Sequence, residues 1–191
     1  PLGHRSGVVC NSDGHKGRPG ASYPGASTFG AYGGLTCFLT DDFSRDGIFE
    51  CLRRRHHYGT TGCRMHMDVA VKFNKEANVF ERDPKVFTES KVFSSREVIM
   101  GDIVQTSESE VLLKLHVFAH SPIERIEIRN GTEVLETFRP YNSNDLGPRI
   151  RVIWSGAEYR GRGRQTSWTG QAVFKECLIK KLAKINAWNH E

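Results

Sequence analysis

The feature that most constrains this fold is a switch to period-two patterning near residue 64. Met65, Met67, Val69, Val71 and Phe73 alternate with His66, Asp68, Ala70 and Lys72. Successive side chains of a strand point to opposite faces, so the pattern predicts a half-buried strand. Val111, Leu113, Leu115 and Val117 repeat it. Ile126 and Ile128 then run into Asn130-Gly131, a strong hairpin signal, and Val134-Leu135 to Phe138 return. Ile150, Val152 and Trp154 alternate again, as do Trp168, Gly170, Ala172 and Phe174. Six or more short strands separated by turns predict a mainly β chain, with residues 64–191 forming an antiparallel β-sandwich. Residues 74–98 carry many charges and little periodicity, and are expected to be a connection or an irregular edge. The tail from Cys177 to Trp188 fits helix or strand spacing, with extended structure preferred.

Residues 1–63 read differently. The apolar run Gly7-Val8-Val9-Cys10 feeds into Asn11-Ser12-Asp13-Gly14-His15, and a glycine-rich loop follows through Pro19-Gly20 and Pro24-Gly25 to Gly33-Gly34. An apolar strand that ends in polar residues delivers side chains to a site at its C-terminal edge. Leu35 to Leu39 is a second buried-strand candidate. A helix comes next, with Ser44 as N-cap, Asp46 in the first turn, and Ile48, Phe49 and Leu52 as its apolar stripe. Arg53, Arg54 and Arg55 suit the negative end of the helix dipole, and Gly59 is expected to stop the helix.

Asp13 and His15 stand two residues apart, so on a strand they share a face. A carboxylate beside an imidazole suits a divalent metal, and equally suits general acid–base work or a solvated turn. Asn11 and Ser12 can supply supporting hydrogen bonds. Lys16 and Arg18 follow closely and could hold an anionic oxygen of a substrate, or simply be solvated loop charges.

Composition narrows the remaining classes. No window holds the roughly 18 apolar residues needed to cross a bilayer, and no signal segment is visible, so a cytoplasmic protein without a membrane partner is expected. The five cysteines, Cys10, Cys37, Cys51, Cys63 and Cys177, lack any Cys-x-x-Cys pairing and read as free thiols. The formal net charge is +5, with Arg53-Arg54-Arg55 and Arg160-Gly161-Arg162-Gly163-Arg164 as the basic clusters. The first has a helix-end explanation, and the second is one short copy near Trp154, Glu158 and Tyr159. Intramolecular pairing is the preferred use of both over nucleic-acid binding.

Val8-Val9-Cys10-Asn11-Ser12-Asp13-Gly14-His15-Lys16-Gly17-Arg18-Pro19-Gly20 resembles the final metal-binding strand of the PHP (polymerase and histidinol phosphatase) superfamily. More closely, it is similar to an uncharacterised bacterial family of PHP-like, amidohydrolase-related proteins. The similarity continues through Gly34-Leu35-Thr36, from Ile48 to Arg55, and through Tyr58-Gly59-Thr60-Thr61-Gly62. It also takes in the region from Ala119 to Gly131 and the Trp168 strand. The resemblance implies that residues 1–63 are the C-terminal remnant of a PHP-like α/β barrel, with strand, glycine-rich loop, strand and helix. It implies that Asp13 and His15 are the last metal ligands of a hydrolase, one that uses zinc, manganese or iron, commonly on phosphoesters. Lys16 and Arg18 would then bind substrate.

The family's earlier His-x-His, His and Glu ligands precede this strand, whereas twelve residues stand before Asp13 here. His56, His57, His66, His116, His120 and His190 do not replace them. The chain is therefore expected to be a C-terminal fragment of a hydrolase, inactive alone and partnered by the missing barrel portion. Homo-oligomers are plausible for such a truncated surface. The alternative reading is a non-catalytic sandwich that binds carbohydrate or protein, and a weaker one is a basic nucleic-acid binder.

Overall fold

The computed structural model describes residues 3, 5–11, 33–152 and 169–183. Its elements are β1 (Leu35–Phe38), α1 (Arg45–Arg54), β2 (His57–Thr60), β3 (Met65–Phe80), β4 (Val92–Ile99), β5 (Ile103–Gln105), β6 (Leu112–Ala119), β7 (Ile126–Asn130) and β8 (Glu133–Phe138), followed by a 3-10 turn at Ser143–Leu146. The chain is mainly β, and every strand pairing among the described residues is antiparallel. Two compact units divide between Pro122 and Ile123.

The first unit is organised by β3. Its N-terminal half lies between β4 and β6, and its C-terminal half between β4 and β5. The register places Met67 opposite Val117, Val69 opposite Leu115 and Val71 opposite Leu113, so the expected apolar stripe is one face of the sheet. On the other face Asp68 pairs with His116, and Lys72 bridges to Glu97 at 2.8 Å. Ala77 and Val79 are the most deeply buried side chains, with Val98 and Ile103 beside them in the core.

Residues 74–98 are no mere connection. Residues 74–80 continue β3, and 92–98 belong to β4. The alternation is interrupted because β3 bulges between Lys72 and Ala77. A bulge takes backbone N–H groups out of the ladder. The Glu108 carboxylate receives them, accepting from the Asn74 and Lys75 N–H groups at 3.1 and 2.5 Å and from the Asn74 amide at 3.2 Å.

Helix α1 begins as expected. Ser44 is extended, and its hydroxyl accepts from the Gly47 N–H at 3.1 Å. Asp42 in turn accepts from the Ser44 N–H and hydroxyl. Ser44→Ala should therefore cost about 1 kcal/mol, readable as a shift in the urea midpoint at unchanged slope. The end of the helix departs from expectation. Gly59 does not stop it, since Gly59 lies inside β2. Arg55 does so instead, at φ 61°, with its N–H donating to Leu52 O and the His56 N–H donating to Cys51 O. This is a Schellman closure with arginine where glycine is usual. The Arg55 side chain anchors it, its Nε donating to Gly101 O at 2.9 Å. The apolar stripe is also less buried than its pattern predicts. Ile48, Phe49 and Leu52 stay exposed, and Cys51 is the buried side chain of the helix.

In the second unit, β7 and β8 form the predicted hairpin, with Asn130 opposite Glu133. The central turn residues are thus Gly131 and Thr132, and Gly131 supplies the positive φ of 61°. Glycine in the first central position is the signature of a II′ turn rather than the I′ turn implied by Asn-Gly. Two further strand expectations fail where residues are described. Ile150 and Val152 are exposed and unpaired, and residues 169–174 form no strand. Residues 177–183 form neither helix nor strand. Trp154, Trp168 and Arg160 to Arg164 lie outside the described residues. All five cysteines are free. Among the described residues no helix is long and apolar enough to cross a membrane.

Candidate functional site

Asp13, His15, Lys16 and Arg18 lie outside the described residues, as does Ser12. The segment that enters them is described up to Asn11, and its fastening to β1 and β2 is specific. Val8 O accepts a hydrogen bond from Nδ1 of His57, the first residue of β2, at 3.1 Å. Two residues on, the Thr36 hydroxyl of β1 accepts from the Cys10 N–H and donates to Cys10 O, both at 2.9 Å. Asn11 O then accepts from the Gly34 N–H at 3.2 Å. The Thr36 side chain thus satisfies both backbone groups of Cys10, as a neighbouring strand would. Cys10 itself packs on Gly59, where an added Cβ would collide with its sulfur.

Below this clasp, β2 is held from the far side. Tyr58 is buried, and its hydroxyl donates to Met65 O at 2.7 Å and accepts from the Met67 N–H at 3.1 Å. Burial, reinforced by the Cys37 side chain, pushes this phenol up to about 12. It stays a neutral hydrogen-bonding strut at any physiological pH.

The corner between α1 and β2 carries a nearly buried carboxylate–imidazole contact. His56 Nε2 lies 2.9 Å from Asp102 Oδ1, with side chains only 13% and 11% exposed. A carboxylate can only accept, so the ring nitrogen donates. Asp102 Oδ2 accepts from the Ile99 N–H at 3.0 Å. Burial alone would raise this carboxyl, but the His56 and Ile99 donors outweigh it and hold it below its ordinary value. Gly101, beside Asp102, has φ +95° and packs its Cα against the Arg55 carbonyl, where a Cβ would collide with backbone.

Two cavities flank the corner. The larger, about 1430 Å³, lies along β1 and α1 and is reached by His56, His66 and Asp68. The smaller, about 560 Å³, is bounded by the incoming segment, by β2 and by the turn that carries Gly101 and Asp102. Among the described residues no group of three or more His, Cys, Asp or Glu side chains could hold a metal ion.

A family model described as a protein of unknown function, DUF3604, matches residues 6–128. The chain belongs to this family. The matched span takes in the clasped segment, the Asp13 and His15 pair, the His56–Asp102 corner and every strand of the first unit. No curated protein and no solved structure matches the chain.

Sequence reasoning found the end point of the clasped segment and missed what fastens it. Thr36 and His57 were visible only as members of a strand and a helix end. Asp102 carries no periodic signal, and its partner His56 is 46 residues away in sequence. The doublet His56-His57 was the available hint. Two adjacent histidines at the start of a strand point to opposite faces, and here one takes Asp102 and the other Val8.

Proposed function

We propose that this chain is the C-terminal part of a PHP-like metal-dependent hydrolase in which Asp13 and His15 are metal ligands. The observation that carries the reading is the clasp. The backbone two residues before Asp13 is tied at Val8, Cys10 and Asn11 to β1 and β2, as a strand that delivers ligands needs to be. On this reading residues 1–63 are the last strand and helix of the barrel, and the four-stranded sheet is one layer of an appended sandwich. Exposure of Ile48, Phe49 and Leu52 along α1 supports it, because an amphipathic helix is stable chiefly by packing its apolar face.

The donor types fit a first-row divalent ion, a carboxylate and an imidazole being standard for zinc, manganese and iron. Their number falls short of a closed site, and the reading assigns the remaining ligands to the part of the protein that precedes this chain. A divalent ion held by Asp13 and His15 would lower the pKa of a water towards neutral and would stabilise negative charge that develops on oxygen. Lys16 and Arg18 orient an anionic substrate, a phosphoester being the best match to their charge. The test is the metal content of the full-length gene product with Asp13→Ala and His15→Ala, each of which should lower it.

A further inference from the structure

Two polar side chains that line the smaller cavity, His57 and Arg55, each keep an atom unmatched among the described residues. His57 is 6% exposed. Its Nδ1 faces Val8 O, which can only accept, so Nδ1 carries the hydrogen, and in the neutral imidazole Nε2 holds a lone pair. Among the described residues nothing donates to that lone pair. A buried acceptor without a partner bears its full desolvation cost, and such a group in a native protein calls for a ligand, an ion or water. Arg55 lines the same cavity. Its Nε donates to Gly101 O and its Nη1 to Arg53 O, both at 2.9 Å, which leaves Nη2 without a partner among the described residues. Asp102 also borders the cavity, and both its oxygens are engaged, by His56 and by the Ile99 N–H.

Gly7 completes the arrangement. A Cβ there would stand 2.6 Å from Cε1 and 2.7 Å from Nε2 of His57, and 3.1 Å from Cγ of Arg55. The missing side chain is what leaves the acceptor edge of the imidazole approachable.

We propose that this cavity binds a small oxyanion that carries its own hydroxyl. Arg55 Nη2 donates to the charged oxygen, and His57 Nε2 accepts the hydroxyl hydrogen. A metal is a poorer occupant, because the neighbouring free group is a cation. The site uses neither Asp13 nor His15, so it stands or falls separately from the metal reading.

Two matched pairs of probes test it: hydrogen phosphate against sulfate, and glycolate against acetate. In each pair only the first member has a hydroxyl to give. Titrations of nitrogen-15-labelled protein near pH 8, read on the His57 ring nitrogens, should show a hydroxyl-bearing member binding at least about tenfold more tightly than its mate. The pair that responds identifies the headgroup as phosphate or carboxylate. Gly7→Ala, which sets a methyl against Nε2, should abolish that binding. Equal binding within both pairs, or no movement of the His57 resonances with any probe, would overturn the proposal. Those comparisons use the unsubstituted protein, so they decide the matter even if the alanine variant fails to fold.

Discussion

Gly101→Val should destabilise the first unit by roughly 3 kcal/mol or more. Two costs add. At φ +95° the backbone occupies a region that a β-branched residue almost never enters. The new Cβ would also collide with the carbonyl groups of Arg55 and Arg54, which are backbone and cannot swing aside. Arg55 is itself left-handed, a conformation that costs a non-glycine residue about 1 kcal/mol. Its bond to Gly101 O is what offsets that strain. Pushing Gly101 away therefore loosens both ends of the corner. Denaturant unfolding at neutral pH should show a large fall in midpoint. A fall below about 1 kcal/mol would mean that the two backbones are not in contact.

Asp102→Asn should cost about 2 kcal/mol at neutral pH, since it replaces the charged acceptor of two nearly buried donors. Its pH dependence is the sharper signature. The Asp102 carboxyl is held below its ordinary value of 3.8 in the folded protein. A depressed carboxyl contributes stability that is present above the unfolded value and is lost as pH falls through the folded one. The gap between wild type and variant should close as pH drops below about 4. A gap that widened below about pH 4 would reverse the sign of the Asp102 contribution.

The comparison between sequence and structure turns on locality. Ser44, the period-two stripe of β3 and the glycine of the hairpin were legible because each is decided within a few residues by capping, side-chain alternation or φ angle. Ala77 and Val79 were hidden. The bulge before them breaks the alternation, and the group that makes the bulge tolerable is Glu108, some 30 residues away in sequence. β5 has three residues, too short for any pattern, yet Ile103 is core. Arg55 ends the helix because Gly101 receives its side chain, a relation that no local rule contains. At the candidate site the same division holds. Thr36 and His57 gain their roles only when β1 and β2 come together around Cys10, whereas Asp13 and His15 lie outside the described residues.

The central claim is that Asp13 and His15 hold metal, and metal stoichiometry measures it most directly. Purified full-length gene product should contain at least one zinc, manganese or iron ion per chain by elemental analysis. Asp13→Ala and His15→Ala should each weaken metal binding by tenfold or more, with the clasp and the His56–Asp102 corner intact by amide exchange. Stoichiometric metal that survives both substitutions would contradict the account.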